Sequence, residues 1–172
     1  MALRTDTFDL GGLRLSSGEG RRVELHMSIP PFSLAGQTYS VQPELIGAKL
    51  DISRTTGGGY ALGLRFEASV AGPCMRCLEP AAPTYSIEAR EIEQPGGGEE
   101  LSTPYVEDEV LDVEAWARDA LALALPAKIM CRAECAGLCP VCGENLNTAE
   151  PGHHHERGPD PRWAKLSELR LE

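Results

Sequence analysis

The chain has 172 residues, of which 42% are hydrophobic and only 5% aromatic, with 18 glycines and 13 prolines. That length suits one ordinary domain with a small appendage, and the composition argues against wholesale disorder and favours a turn-rich β protein over a helical bundle. The formal charge is −10, and broad capture of phosphate backbones is disfavoured, because that requires clustered Lys and Arg.

The acidity is local. Residues 1–80 carry eight side chains of each sign, whereas residues 81–125 carry 11 acidic and two basic ones, centred on Glu99, Glu100, Glu107, Asp108 and Glu109. Such a block is either a solvated surface or a dock for a basic protein. No apolar run approaches the roughly 18 residues of a membrane span, and the opening Met1-Ala2-Leu3-Arg4 lacks a secretory apolar stretch. A cytoplasmic protein with no membrane partner and no small-molecule substrate is expected.

Extended segments are predicted at residues 7–10 and 23–29, and Pro30-Pro31 stops the second because proline offers no N–H to a ladder. Ile46, Ala48, Leu50 and Ile52 alternate with polar or small neighbours, predicting a strand with one buried face. Thr55-Thr56-Gly57-Gly58-Gly59 predicts a turn that needs positive φ. Leu62, Leu64, Phe66, Ala68 and Val70 then alternate with Gly63, Arg65, Glu67 and Ser69, and residues 85–92 form a further strand after Pro80 and Pro83. The pattern is an antiparallel meander with Cys74-Met75-Arg76-Cys77 on its second turn.

After the break at Gln94-Pro95-Gly96-Gly97-Gly98, a helix is predicted over 112–125. Asp112 is its N-cap, Pro126 its stop, and Val113, Trp116, Ala117, Ala120, Leu121, Ala124 and Leu125 form one apolar stripe. Trp116 is assigned to core packing. The expected fold is α+β: an antiparallel sheet of five or so strands covered by this helix (residues 1–126), followed by a C-terminal zinc-binding module (127–172). In that module Trp163 and Leu166 are placed on a short helix capped by Asp160, with Pro161 at its first position.

Six cysteines stand in pairs: Cys74 with Cys77, Cys131 with Cys135, and Cys139 with Cys142. Without a secretory signal, disulfides explain them poorly. A redox CxxC would sit between a strand and the helix that starts at it. Cys139-Pro140-Val141-Cys142-Gly143 reads instead as a metal knuckle, and thiolate with imidazole suits zinc. Two groupings fit the spacing. A single ribbon would join Cys74 and Cys77 to Cys139 and Cys142. Two sites would use every cysteine: Cys74, Cys77, Cys131 and Cys135 at one ion, and Cys139 and Cys142 with two of His153, His154 and His155 at the other. Alternation favours His153 and His155, and the competing reading of the His run is a solvated loop.

Three blocks in order resemble the YceD family of large ribosomal RNA subunit accumulation proteins. They are Cys74-Met75-Arg76-Cys77-Leu78-Glu79-Pro80, the helix closing Leu123-Ala124-Leu125-Pro126, and the segment from Cys131 to Asn147 with Asp160-Pro161-Arg162 beyond it. Long members of that family usually carry a Cys-x-Cys pair where this chain has His153-His154-His155, and this resemblance implies two zinc sites over the ribbon. It further implies pairing Cys131 and Cys135 with Cys74 and Cys77. It implies a role in large-subunit ribosomal RNA accumulation and ribosome biogenesis, with ribosomal RNA or a large-subunit ribosomal protein as partner, and the count of eight good donors, enough for two closed sites, makes a non-catalytic role the expectation. The acidity points to contact through a basic protein or through a small basic face such as Arg157, Arg162, Lys165 and Arg170. The alternatives are a zinc-dependent RNA hydrolase with Glu156 as base, or a thiol or metal sensor.

Overall fold

The computed structural model describes residues 6–155. The expected helix around Trp163, the basic tail residues and Glu156 lie outside the described residues.

The architecture is built around one long strand. In chain order the strands are β1 (Thr7–Asp9), β2 (Gly20–Met27), β3 (Phe32–Leu34), β4 (Gln37–Gln42), β5 (Ile46–Arg54), β6 (Tyr60–Pro73), β7 (Pro80–Ala81), β8 (Thr84–Glu93), β9 (Val106–Glu107) and β10 (Val110–Asp112), and helix α1 (Val113–Ala124) follows. β6 pairs antiparallel with β5 and then β4 along one edge, and with β8 and then β7 along the other. β2 extends the sheet beyond β5, and β3 pairs with β4. β1, β10 and β9 form a separate three-stranded sheet.

The period-2 pattern sets the faces. Ile46, Ala48, Leu50 and Ile52 of β5 and Leu62, Leu64, Phe66, Ala68 and Val70 of β6 are all buried on one side. The other side carries Arg22, Lys49, Arg65 and Arg90 against Glu24, Asp51, Glu67 and Glu88, so its charges cancel. Asp51 sits between Arg22 (2.5 Å) and Arg65, and both arginines lower its carboxyl below the usual range, the Arg22 hydrogen bond contributing most.

The β5–β6 turn closes as its glycines require: Gly58 has φ +79°, and the Gly59 N–H donates to Thr55 Oγ1 at 2.9 Å. The β3–β4 hairpin was not anticipated. Its turn residues Ala35 and Gly36 have φ of 50° and 76°, the left-handed pair that matches strand twist. Phe32, Tyr39 and Val41 bury one face of that hairpin.

α1 starts where Asp112 accepts a hydrogen bond from the Ala115 N–H at 2.9 Å, and the Asp6 carbonyl takes the next free N–H groups, from Val113 and Glu114. Val113, Trp116, Ala117 and Leu121 are buried against the sheet, chiefly beside β8. The stripe fades in the last turn. Ala124 is exposed, and Leu123, outside the stripe, is 89% exposed. Leu125 is extended, as a residue before proline must be, and the chain turns towards the cysteines. Among the described residues, no helix is long and apolar enough to cross a membrane.

Candidate metal centres

The first centre is assembled at the end of β6. Gly72 and Pro73 pair back onto Ala81 and Pro80, so residues 74–79 are the tip of a hairpin. Gly72 is needed there, because a Cβ would lie 2.3 Å from the Tyr39 ring. Tyr39 in turn donates its hydroxyl to the Pro73 carbonyl at 2.8 Å. From the other side, the segment after α1 docks through fully buried Ile129, whose carbonyl accepts from the Met75 N–H at 2.9 Å.

This docking brings Cys131 and Cys135 to Cys74 and Cys77. The Sγ atoms of Cys74 and Cys135 are 3.8 Å apart, those of Cys77 and Cys131 3.6 Å, and all four lie within 4.8 Å of one another. No disulfide joins them.

The second centre sits on loops. Residues 135–139 lead to it from the first, and the Leu138 N–H donates to the Arg76 carbonyl at 3.1 Å on the way. Gly137, at φ +83°, passes close to that same carbonyl. Cys139, Cys142, His153 and His155 converge within 4.8 Å. His153 Nε2 is 3.6 Å and His155 Nε2 3.3 Å from Cys142 Sγ, whereas exposed His154 faces the Gly152 carbonyl at 2.8 Å.

Both CxxC turns share one geometry. Leu78 N–H donates to the Cys74 carbonyl at 3.0 Å, and Gly143 N–H to the Cys139 carbonyl at 2.9 Å. The residue after each pair is left-handed, with φ 64° at Leu78 and 78° at Gly143. In each turn the main-chain N–H groups two and three residues on point at the first sulfur.

Those donors tune the thiols. Burial works against a Cys74 thiolate, but the N–H groups of Cys77, Arg76 and Cys131 outweigh it and bring the thiol down to about 6. The Cys142 N–H, His153 and the Val141 N–H bring Cys139 down to about 6 as well. Cys131 is exposed as a residue, yet its sulfur faces the cluster. Desolvation there and the sulfurs of Cys77, Cys135 and Cys74 push it up to about 12. Four thiolates so close repel one another, and a divalent cation between them removes that penalty.

The spacing fits such an ion. With Zn–S near 2.3 Å and Zn–N near 2.0 Å, tetrahedral edges are about 3.8 Å for S···S and about 3.5 Å for S···N. The observed 3.6–3.8 Å and 3.3–3.6 Å bracket these values. The geometry groups the eight predicted residues in two sets of four and separates Cys74 and Cys77 from Cys139 and Cys142, against the single ribbon.

Two supporting residues escaped the sequence reading. Glu144 Oε2 is 3.0 Å from His153 Nδ1, which fixes the ring with Nε2 towards the cluster. Asn147 Nδ2 donates to Cys135 Sγ at 3.5 Å, while its Oδ1 accepts from the Ala136 N–H at 2.9 Å. The signal was the position of each, two and five residues after Cys142 and within the last block of the family resemblance. Of the remaining histidine, His26 in β2, the ring is half-buried on the solvent side of the sheet, far in sequence from both clusters.

Comparison with known proteins places this geometry. The family model described as "Large ribosomal RNA subunit accumulation protein YceD" matches residues 62–170, which include all eight clustered residues. Uncharacterized proteins of Mycobacterium bovis and Mycobacterium tuberculosis are each 35% identical over 164 residues, covering 91% of this chain and 78% of theirs. An uncharacterized protein of Mycobacterium leprae is 34% identical over 108 residues, covering 59% of this chain and 49% of its own length. No solved structure matches the chain.

Proposed function

The chain belongs to the YceD family, and from that premise we propose that it is a non-catalytic, zinc-holding cytoplasmic factor. It supports accumulation of large-subunit ribosomal RNA by binding a basic ribosomal protein in an assembly intermediate. The observation that carries this reading is that each cluster gathers four sulfur or imidazole donors within 4.8 Å of one another, enough to fill a tetrahedral shell with no position left for water. A catalytic zinc keeps one position for water, usually beside three protein ligands.

Cys74, Cys77, Cys131 and Cys135 would hold one ion, and Cys139, Cys142, His153 and His155 the other. The ion supplies the coordination energy that folds a segment too poor in apolar residues to fold by packing. The role of this chain's own residues is to hold two loops rigidly beside an acidic surface. A surface fixed in advance loses little entropy on binding.

The charge distribution supports a protein partner over direct coating of RNA. The solvent side of the main sheet has no net charge, and the acid-rich quarter of the chain favours a basic ligand. Glu109 must be set apart from that acidic surface. Its Oε1 accepts from Arg54 and from the Tyr60 hydroxyl, both at 2.8 Å, so it is a structural anchor. Glu99, Glu100 and Glu107 are exposed and free to serve.

Native mass spectrometry of the full chain should find two zinc ions. Reversing Glu99, Glu100 and Glu107 to lysine should reduce capture of ribosomal proteins from cell extract several-fold, with the loss greatest at low salt. Equal capture after reversal removes the electrostatic dock. RNA cleavage that depends on the metal and survives purification hands the case to the hydrolase reading.

A further inference from the structure

Besides the metal centres, the described residues form a groove between β8 and the α1 side of the sheet. It is about 420 Å³ and runs along residues 86–91 of β8, with Tyr105, Ala120, Leu123 and Ala124 opposite. Six consecutive residues of a strand line it. Side chains of both faces and the backbone between them therefore border it.

Among the described residues β8 pairs only with β6, and its outer edge is unpaired. The bond from the Val70 N–H to the Pro83 carbonyl, at 3.0 Å, sets the alternation of the ladder. In this register residues 85, 87, 89 and 91 exchange hydrogen bonds with β6, and the main-chain N–H and C=O groups of Ser86, Glu88 and Arg90 point into the groove. An open edge of this kind is a template for another strand.

The opposite wall is apolar and uncovered. Leu123 is 89% exposed, one turn after Ala120, while Tyr105 stacks on buried Trp116 with ring centroids 6.3 Å apart. Every lining residue falls within 86–124, inside the acid-rich quarter of the chain, and Glu88, Glu91 and Asp119 stand along or beside the groove against two bases, Arg90 and Arg118, the latter 3.6 Å from Asp119. Arg90 is already bound to Glu88 at 2.7 Å on the solvent face.

We propose that this edge takes an extended basic segment of a partner protein as an added β-strand. Its main chain pairs with Ser86, Glu88 and Arg90, its apolar side chains lie on Ala120 and Leu123, and its Lys or Arg side chains face the carboxylates. The proposal rests on the reading that the partner is a basic protein and gives that contact a place and a mode. Two like-charged acidic edges repel, which disfavours a second copy as occupant.

The test uses the full zinc-loaded chain and a synthetic ten-residue peptide of alternating lysine and valine. Amide shifts in NMR spectra should centre on Ser86, Glu88 and Arg90. Binding should fall at least tenfold for the same peptide N-methylated at alternate residues, and for Leu123→Lys. Glu88→Pro should act likewise, because it removes an outward N–H and leaves the β6 ladder intact. Leu123→Lys alters only an exposed side chain, so it decides the matter if the proline variant does not fold.

Absence of binding at millimolar peptide, or shifts centred elsewhere, overturns the proposal. So does a dimer in sedimentation that Leu123→Lys abolishes, which would make a second copy the occupant. An RNA oligonucleotide that displaces the peptide from the same amides makes the ligand RNA. Capture of ribosomal proteins that persists in Leu123→Lys and Glu88→Pro sinks the groove but leaves the wider function standing. Loss of all capture by the wild-type chain sinks both.

Discussion

The two metal centres share a knuckle but not a foundation. Cys74 and Cys77 grow out of the longest strand of the main sheet and are buried, as is Cys135. Cys139 is buried too, but Cys142 and His155 are exposed, and no strand of the main sheet supplies a ligand to that centre. The first centre therefore joins two parts of the fold, while the second closes a loop upon itself. The chain between them is four peptide bonds long, and the Arg76–Leu138 hydrogen bond ties them. Loss of the first should propagate to the second, and loss of the second should stay local.

Paired serine substitutions would break this comparison most severely. Cys74→Ser with Cys77→Ser should remove both zinc ions and lower stability by more than about 4 kcal/mol, because Ile129 and Met75 lose the lock that seats them. Cys139→Ser with Cys142→Ser should remove one ion and leave the far-ultraviolet spectrum of the sheet and the melting of the rest of the domain nearly unchanged. Native mass spectrometry with thermal denaturation reads both. Equal damage from the two pairs would mean that the centres form one cooperative unit.

A smaller effect should sharpen the difference between the ligand sets. Glu144 orients His153 in the second centre as Asn147 supports Cys135 in the first, but a carboxylate on an imidazole N–H contributes more than an amide on a sulfur. Glu144→Gln should weaken zinc at the second centre on the order of tenfold and leave the first untouched. Asn147→Ala should weaken the first by less. Titration against a chromophoric chelator, with one centre disabled at a time, measures each. A Glu144→Gln protein with unchanged affinity would reduce the carboxylate contact to a surface ion pair.

Sequence reading did best where local pattern decides structure. The alternation in β5 and β6 had a buried face to specify, and the Asp112 cap and the helix stripe through Leu121 followed short-range rules. The β3–β4 hairpin was lost because Ala35 carries no turn signature, although it occupies a left-handed position. The pairing of β1 with β10 joins residues about a hundred apart and leaves no local mark. The eight clustered residues were legible because metal donors come in spaced pairs, and their division in two needed either the family resemblance or the fold. Glu109 was misplaced for a related reason. In the sequence it is one more acid in an acidic run, and only the tertiary structure brings it to Arg54 and Tyr60.

The smallest effect is the most direct comparison of the two knuckles, since they differ at one equivalent position. Leu78 and Gly143 both follow a CxxC, both have left-handed φ, and both donate to the carbonyl of the first cysteine. Left-handed backbone costs a residue with a side chain about 1–2 kcal/mol, whereas glycine loses about 0.5–1 kcal/mol of chain entropy on folding. Leu78 is 64% exposed and recovers little of that cost by burial. At Gly143 an added Cβ meets nothing within 4 Å, so only the conformational term acts there. Leu78→Gly should therefore stabilise the zinc-loaded protein by about 0.5–1 kcal/mol, and Gly143→Leu should cost a similar amount, read at its own centre as faster zinc loss to chelator. Leu78→Gly that destabilises would mean the leucine is covered in the working protein, and adding candidate partners to the melt would then restore the difference for Leu78 alone.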